Sequence, residues 1–516
     1  MEPNKLREAE QGKSSIDVGQ VENHALKSGI LSTAEHDEYL RLKESFQGEQ
    51  LNALTRKIDI HVLPQLILLY LMSYVDRSNV GNAKLFGAQP DLGMSGREWN
   101  MALSVFFITY AFGGVPANIC LKRFGPKIWL PCMITAVGAV LVCTSLQNNL
   151  AGWTAFRVLL GWVEAGVFPG CSFVLTSWYS PAELHSRMTI FYSGASAAGA
   201  FSGLMAYGIG QLDYQWGFRG WRFIYCIEGT FTVLLGLISF FFIHDTPQKA
   251  GNWLNGEEKR FLVLRNKYSA GGDSGVAEEE RFSMKYAKQA FKSPHTYAIA
   301  AIEFTVAIVV YGISFVLPTI INNLGYSNAT SQAMTAPPYV FACLVTLFSG
   351  WAADRYQQRM LSVVLPNIMA ASGFIIIIVS VRYEHLTGVT LFGLFLMAGG
   401  LYPISPAVMA WSALNMSGSM KRAVGMALMM SFSQLGGIVG SNIYISSQSP
   451  TYPIGFGISL GMLTVFGIIW PVVYFLWLKK VNMRRSEMSL EDVLAKYTKE
   501  ELVEMGDESP LFRYAT

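Results

Sequence analysis

Long apolar runs separated by short polar stretches dominate this chain. Twelve of the runs are long enough to cross a bilayer, which takes about 20 predominantly apolar residues in a helix. They lie near 58–80, 98–120, 128–147, 152–176, 188–211, 220–243, 296–321, 333–353, 360–381, 388–412, 422–446 and 455–478. The pattern therefore predicts an all-α integral membrane protein with twelve transmembrane helices, called spans one to twelve below.

Composition supports a membrane protein and argues against an enzyme. Hydrophobic residues make up 51% of the chain and charged residues 15%, whereas soluble proteins carry about 25% charged residues. The six cysteines lie in or at the ends of apolar runs, as small buried hydrophobic residues do. No Cys or His spacing is typical of a metal site, and no nucleophile–base set or phosphate loop is present. We therefore expect no enzymatic activity, metal or cofactor.

One long charged interruption separates the spans into two groups of six. We predict a cytoplasmic N-terminal tail, a first six-helix half, a cytoplasmic central loop with one helical stretch (EEKRFLVLRNKY), a second half and a cytoplasmic C-terminal tail, at 1–57, 58–243, 244–295, 296–478 and 479–516. Both tails are polar, so we expect them to be partly disordered. Their composition gives no sign of nucleic-acid binding.

Positive charge is concentrated in alternate loops. Lys and Arg follow spans two, four, eight, ten and twelve, whereas the loops after spans three and seven lack them. Such residues favour the cytoplasmic side, so both termini are predicted to be cytoplasmic. No secretory signal opens the chain. We expect a multi-pass protein of the plasma membrane.

Two short motifs recur at nearly constant offset. The run GVPANICLKRFGPK, which begins at Gly114, closes span two, and GWAADR, which begins at Gly350, closes span eight, 236 residues later. Likewise GVFP at Gly166 is echoed by GLYP at Gly400, 234 residues later. Agreement between the two offsets predicts parallel six-helix repeats. Glycines at these places would let neighbouring helices approach closely.

Charged residues inside the apolar runs are the main functional signal. Arg157 and Glu164 in span four are seven residues apart, so they share a helix face and lie roughly 10 Å apart along the axis. Each such charge costs about 2.5–3.5 kcal/mol to insert, and intramembrane charges commonly mark ion or substrate paths. Asp76-Arg77 stands near the end of span one. A structural salt bridge in span four, and an interfacial marker in span one, are the alternatives.

The repeated loops resemble the signature loop of the major facilitator superfamily. The corresponding gating-motif residues are Gly114, Asn118, Arg123, Gly350, Asp354 and Arg355. The resemblance implies that this motif links the two halves through charged side chains. Asn118 replaces the usual acidic residue and cannot form a salt bridge, so charge-based gating would depend on the second-half copy.

Three further runs narrow the resemblance: LYLMSYVDRSNVGNAK, RVLLGWVEAGVFPG and GWRFIYCIEG. Together they resemble the anion:cation symporter branch and, within it, the fungal allantoate permease family. The resemblance implies a symporter that uses the proton gradient to import a small organic anion, such as a vitamin acid or an allantoate-like compound. We expect the protein to be a monomer. It implies that Arg77 and Arg157 bind substrate and that Asp76 and Glu164 couple protons.

The geometry of ideal helices agrees with these roles. Arg157 and Arg77 are expected at one depth, as a fork for a carboxylate, with Glu164 about 10 Å deeper. Glu228 is expected to brace Arg222 or a neighbouring helix. Some of the other polar residues on the spans should line the cavity, and the sequence does not select among Tyr70, Ser73, Tyr311, Asn322, Tyr402, Gln434 and Asn442.

Two other functions remain open. One is a proton antiporter that exports a secondary metabolite or drug, although span five (SGASAAGAFSGLMAYGIG) lacks the Gly-Pro-Gly-Gly signature common in such antiporters. The other is a nutrient sensor that does not transport, which the short tails disfavour.

Overall fold

The computed structural model describes residues 33–244, 246–269, 284–356, 358–416 and 419–488, and all of 493–516 except 494, 499–500 and 503–504. Helices account for all twelve predicted spans. In the first half they are Glu49–Leu85, Gly96–Phe124, Pro126–Ser145, Leu150–Glu164 with Val167–Trp178, Pro181–Gly210 and Gly220–Phe242. Span one is the longest because its helix continues beyond the apolar run at both ends.

The second half repeats this order. Its spans are Pro294–Asn323, Ala336–Tyr356, Arg359–Ser380, Thr387–Leu401 with Ile404–Leu414, Ser419–Ile443 and, for span twelve, Pro453–Met462, Leu463–Ile469 and Trp470–Ser486. Spans four and ten are both broken into two helices near a Gly-x-x-Pro run, a similarity between the two halves that was not predicted from the sequence. The middle piece of span twelve is a π-helix.

Ten of the described helical segments are both long and apolar enough to cross a membrane. Spans two and five are of similar length, with 29 and 30 residues, but fall outside that set. Both pack against the other half, span two on span eleven and span five on span eight. Their lower hydropathy fits helices that face protein more than lipid.

The two halves meet along three pairs of helices: spans one and seven, two and eleven, and five and eight. At the end of the bundle away from the termini, Asn442 donates a hydrogen bond to Ser104 at 2.7 Å. Lys84 donates to Ser446 there at 3.2 Å. These contacts join the two halves at that end of the bundle.

Glycine sets the spacing of spans three and six. A Cβ on Gly138 would lie 2.6 Å from the backbone oxygen of Gly229, and one on Gly229 would lie 2.8 Å from that of Gly138. The two helices therefore approach too closely at this crossing for either glycine to be replaced by a residue with a side chain. Gly125 links spans two and three with φ of 76°, a left-handed conformation that favours glycine.

The predicted tails and central loop contain ordered elements. Residues 1–32 and 270–283, including much of the predicted disordered regions, lie outside the described part. The helix predicted in the central loop is Gly256–Ser269, and it packs against Thr33–Ser45. Arg260 makes ion pairs there with Glu38 at 2.8 Å and Glu35 at 3.3 Å.

The end of the chain returns to the second half. The side chain of Asn415 accepts a hydrogen bond from the Ala515 amide at 2.7 Å and donates to its carbonyl at 3.2 Å. Asn482 makes the same two-way contact with Tyr514, at 2.9 Å each. Residues 505–516 are therefore packed against spans ten and twelve.

Candidate functional site

Arg77 and Glu164 form an ion pair at the centre of the first half. The Arg77 Nη2 and Nε atoms lie 2.6 and 2.7 Å from Glu164 Oε1. Ser73, one turn earlier on span one, donates to the same oxygen at 2.7 Å. The Arg77 and Glu164 residues are 6% and 0% exposed. Since breaking a buried pair strands two charges, this contact is strong unless another charge replaces one partner.

Arg77 also reaches the second half. Its Nη1 donates to the Tyr311 hydroxyl of span seven at 2.7 Å, and that hydroxyl donates to Gln434 Oε1 of span eleven at 3.3 Å. The guanidinium carbon lies 4.7 Å from the centre of the Tyr110 ring, within the range of a cation–π contact. Arg77 therefore connects an acid in one half to neutral polar groups in the other.

Arg157 has different partners from Arg77. Its Nη2 donates to the Tyr225 hydroxyl of span six at 2.5 Å, and its guanidinium carbon lies 4.5 Å from the Trp153 ring centre. The residue is 2% exposed. Arg157 and Glu164 therefore do not form the salt bridge that was the structural alternative for span four. Glu164 pairs with Arg77 instead.

Asp76 and Glu228 are buried carboxyl groups of a different kind. They are 0% and 1% exposed, and all four oxygens lack a hydrogen-bond partner in the structure described. The expectation that Glu228 braces Arg222 is wrong. Arg222 instead donates to Asp91 at 3.2 Å and to the Ser145 carbonyl at 3.0 Å, because it lies in the first turn of span six, away from Glu228.

The remaining predicted polar residues are spread through the bundle. Ser73, Tyr311 and Gln434 meet at Arg77, as described above. Asn322 donates to the Tyr326 carbonyl at 2.9 Å, near the end of span seven. Tyr70 and Tyr402 both pack against Tyr74, and their ring centres lie 6.1 and 6.4 Å from its ring centre. Sequence reasoning did not single out Tyr225, whose only signal was its place one turn before Glu228.

The first gating loop is open around its first glycine. A Cβ on Gly114 would meet nothing within 4 Å, so the expected close approach there is wrong. The neighbouring Gly113 makes that approach, since its Cβ would lie 3.2 Å from the Trp162 carbonyl oxygen. Asn118 is half-buried on the same helix, and Arg123 is exposed at its end.

The second gating loop is tightly packed. A Cβ on Gly350 would lie 2.3 Å from Thr189 Cγ2 of span five, in the other half. Asp354 forms an ion pair with Arg359 at 3.8 Å, whereas Arg355 is exposed. The acid of the second motif therefore pairs with the first residue of span nine, across the break between the two helices.

Three of the six cysteines are exposed, although all six were expected to be buried. Only Cys171 is buried among the six, and Cys132, Cys143 and Cys226 are exposed on the surface of the bundle. An apolar run has a lipid-facing side as well as a buried one, so membership of a span does not imply burial in protein.

The Major Facilitator Superfamily model matches residues 66–441. The chain is 40% identical over 490 residues to the MFS-type transporter cnsO of Penicillium expansum, which covers 94% of both proteins. It is 30% identical to the MFS-type transporter efuF of Hormonema carpetanum, over 85% of this chain and 87% of that one.

Solved structures agree on the fold. A bacterial homolog of the human lysosomal transporter Spinster, inward-facing and unoccupied, matches with a TM-score of 0.60 at 17% identity, covering 80% of this chain and 96% of that one. The proton:xylose symporter XylE matches with a TM-score of 0.59 at 12% identity, covering 81% and 95%. The chain therefore belongs to the major facilitator superfamily and is a membrane-embedded transporter of small molecules.

Proposed function

We propose that this transporter imports a small organic anion together with protons, as members of the allantoate permease branch do. The observation that carries the proposal is the buried ion pair of Arg77 and Glu164, with both guanidinium contacts made to a single carboxylate oxygen. An anion that binds Arg77 has to displace Glu164. A carboxylate without a partner in an apolar site is costly, so Glu164 then takes a proton.

This exchange couples the two transported species. Anion and proton enter the site together, because either one alone leaves a buried charge unbalanced. They also leave together, since Glu164 returns to Arg77 when the anion departs. The result is symport, with the proton gradient as the driving force and without any cofactor.

The arginines favour a carboxylate as the anion. A guanidinium presents a rigid, planar set of donors that matches a carboxylate bidentately. The aromatic rings of Tyr110 and Trp153, which lie 4.7 and 4.5 Å from the two guanidinium carbons, would restrict the anion to a compact or planar shape. A vitamin acid or an allantoate-like compound has that chemistry.

Direction follows from orientation and location. The positive-inside pattern favours cytoplasmic termini, and we place the protein, as a monomer, in the plasma membrane. Protons then flow inward down their gradient, and symport brings the anion into the cell. Proton antiport would export a metabolite instead, and a sensor would move neither.

Uptake assays with Glu164→Gln test the proposal. Cells that express the wild type should take up labelled nicotinate, pantothenate or allantoate faster at acidic than at neutral external pH. Glu164→Gln should lose this pH response and still exchange internal for external anion, because the neutral amide mimics a protonated carboxyl. The exposed Glu257 provides a control, and Glu257→Gln should behave as the wild type does.

Two results would contradict the proposal. Wild-type proton dependence in Glu164→Gln would remove that residue from coupling. Failure of all three anions, with a cellular acid accumulating when the transporter is inactivated, would support export.

A further inference from the structure

Four uncharged polar residues are buried where spans one and five meet the second half, at the end of the bundle away from the termini. They are Asn79 and Asn82 of span one, Ser202 of span five, and Gln332 of the short helix Asn328–Ala333 that precedes span eight. Each residue is at most 3% exposed. The proposed orientation places this end outside the cell, so the four residues are called here the outer cluster.

The three members from the first half bond to one another. Ser202 Oγ donates a hydrogen bond to Asn79 Oδ1 at 2.7 Å and accepts one from Asn82 Nδ2 at 2.9 Å. The other contacts of Asn82 Nδ2 are longer, at 3.4 Å to Asn79 Oδ1 and 3.5 Å to the Ser202 carbonyl. Ser202 therefore makes the two short bonds that hold span one against span five at this level.

Gln332 joins the second half to this group. Its Nε2 donates to the backbone carbonyl of Asn82 at 3.3 Å. The helices are also very close here, since a Cβ on Gly203 of span five would lie 2.6 Å from the Gln332 carbonyl oxygen. Thr335, at 2% exposure, lies against the same glycine. The two halves therefore leave no room for a side chain at residue 203.

The bonding of the outer cluster is incomplete. Gln332 Oε1 and Asn79 Nδ2 are buried, and neither has a hydrogen-bond partner among the described residues. A buried polar group without a partner typically costs more free energy than one neutral hydrogen bond contributes. Separation of the halves would expose both groups to water, which can satisfy them. The closed contact therefore carries a penalty that opening removes.

We propose that Asn79, Asn82, Ser202 and Gln332 form the outer gate of this transporter, and that their incomplete bonding keeps the closed gate close in free energy to the open gate. Ser202 is a positioning residue that stabilises the closed gate. Gln332 is the residue of the second half that meets Asn82 and favours opening. The inference goes beyond the proposed function, because a transporter needs such a gate whichever substrate it carries.

Two substitutions should move the gate in opposite directions. Ser202→Ala removes the two short bonds of the closed gate, and water can replace them only when the halves separate, so opening is favoured by about fivefold. Gln332→Met keeps a similar shape but removes the buried Oε1, and opening would then expose an apolar side chain to water. Closing is therefore favoured, again by about fivefold. A role in stability alone does not predict opposite shifts.

The test measures how fast a thiol at the gate reacts from outside the cell. Thr335→Cys places the thiol at the contact with Gly203, in a protein whose six native cysteines are replaced by alanine. A membrane-impermeant maleimide added to intact cells should react with this thiol only while the gate is open. Ser202→Ala should raise the rate of reaction about fivefold, and Gln332→Met should lower it about fivefold.

The chain offers a matched control for each substitution. Ser196 of span five is 0% exposed, and its Oγ donates to the Ser193 carbonyl of the same helix at 2.9 Å. Asn367 of span nine is 0% exposed, its Nδ2 donates to the Val363 carbonyl at 2.8 Å, and its Oδ1 has no partner among the described residues. Both bonds stay within one helix. Ser196→Ala and Asn367→Leu should therefore leave the rate of reaction unchanged.

A second thiol distinguishes opening of the gate from unfolding. Cys171 of span four is 0% exposed, so as the sole cysteine of the protein it should react slowly in every variant that stays folded. Gln332→Leu, which also removes the amide, should act in the same direction as Gln332→Met. It provides a second measurement of the same effect if one of the two variants unfolds.

The inference is overturned if the gate thiol reacts in Gln332→Met at least as fast as it does with Gln332 in place, or if Ser202→Ala does not raise the rate. Equal shifts in the two controls would also overturn it. These outcomes are distinct from failure of the proposed function, since labelling requires no substrate. A protein that takes up none of the three anions refutes the proposed function, whereas absence of the opposite shifts refutes only the gate.

Discussion

The buried ion pair of Lys421 and Asp507 predicts how strongly the end of the chain is attached to the bundle. Lys421 Nζ lies 2.8 Å from Asp507 Oδ1, and the side chains are 3% and 0% exposed. Removal of one partner leaves the other charge buried and uncompensated, which typically costs about 3–5 kcal/mol. Glu508 lies 3.8 Å from the same Nζ but is 60% exposed, so it is a poor replacement for Asp507.

We expect Asp507→Asn and Lys421→Met each to lower the free energy of unfolding by about 3–5 kcal/mol. Replacement of both residues, as Lys421→Met/Asp507→Leu, should cost much less than either single change, because an apolar pair avoids desolvation of two charges. Thermal unfolding of the purified protein in detergent, followed by tryptophan fluorescence, should therefore rank the double variant above both single variants.

The exposed Lys480, near the same end of the bundle, supplies the control. Lys480→Met should change the free energy of unfolding by no more than about 0.5 kcal/mol, as surface substitutions usually do. The reasoning is refuted if the single variants unfold as Lys480→Met does. It is also refuted if the double variant loses the sum of the two single losses, since that additivity would mean the charges do not interact.

Two further predictions concern the contacts between the halves. Gly350→Ala should lower the maximal transport rate, because its Cβ would lie 2.3 Å from Thr189 Cγ2. Thr189→Ala should restore part of that rate, and Gly114→Ala, in open space, should have little effect; equal losses at both glycines would contradict this. Ser104→Ala removes the 2.7 Å bond from Asn442, worth about 1 kcal/mol, so amide hydrogen exchange at the end of span eleven should accelerate about fivefold. Unchanged exchange would show that this bond does not hold the halves together.

The fold could be predicted from the sequence because its main constraint is local. A bilayer requires every spanning segment to satisfy its own backbone hydrogen bonds, so an apolar run of sufficient length determines a helix. The repeat of GVFP and GLYP indicated two similar halves, and the structure adds that spans four and ten divide near these runs. The packing of the C-terminal residues against the bundle could not be predicted in this way. Its packing depends on side-chain pairs such as Asn415 with Ala515, which join residues 100 positions apart and leave no periodic pattern.

The candidate site could be predicted only in part, for a related reason. An unexpected charge in an apolar run is visible, so Arg77, Arg157 and Glu164 were identified. The sequence did not show which of these residues pair with each other. Pairing depends on the rotation of each helix about its axis and on where a long side chain reaches. From span four alone, a salt bridge between Arg157 and Glu164 was the structural alternative. Arg77 of span one takes Glu164 instead, and Arg157 turns to Tyr225.

This pairing suits transport by alternating access, the mechanism we propose for this protein, in which the two halves move relative to each other. Both residues of the Arg77–Glu164 ion pair belong to the first half. The second half contributes the neutral groups of Tyr311 and Gln434. If the halves move apart at this site, the contact that Arg77 loses is its hydrogen bond to Tyr311, worth about 1.5–3 kcal/mol. An ion pair across the interface would cost about 3–5 kcal/mol when one charge is stranded, so the observed arrangement lets the halves separate while the buried charges stay balanced.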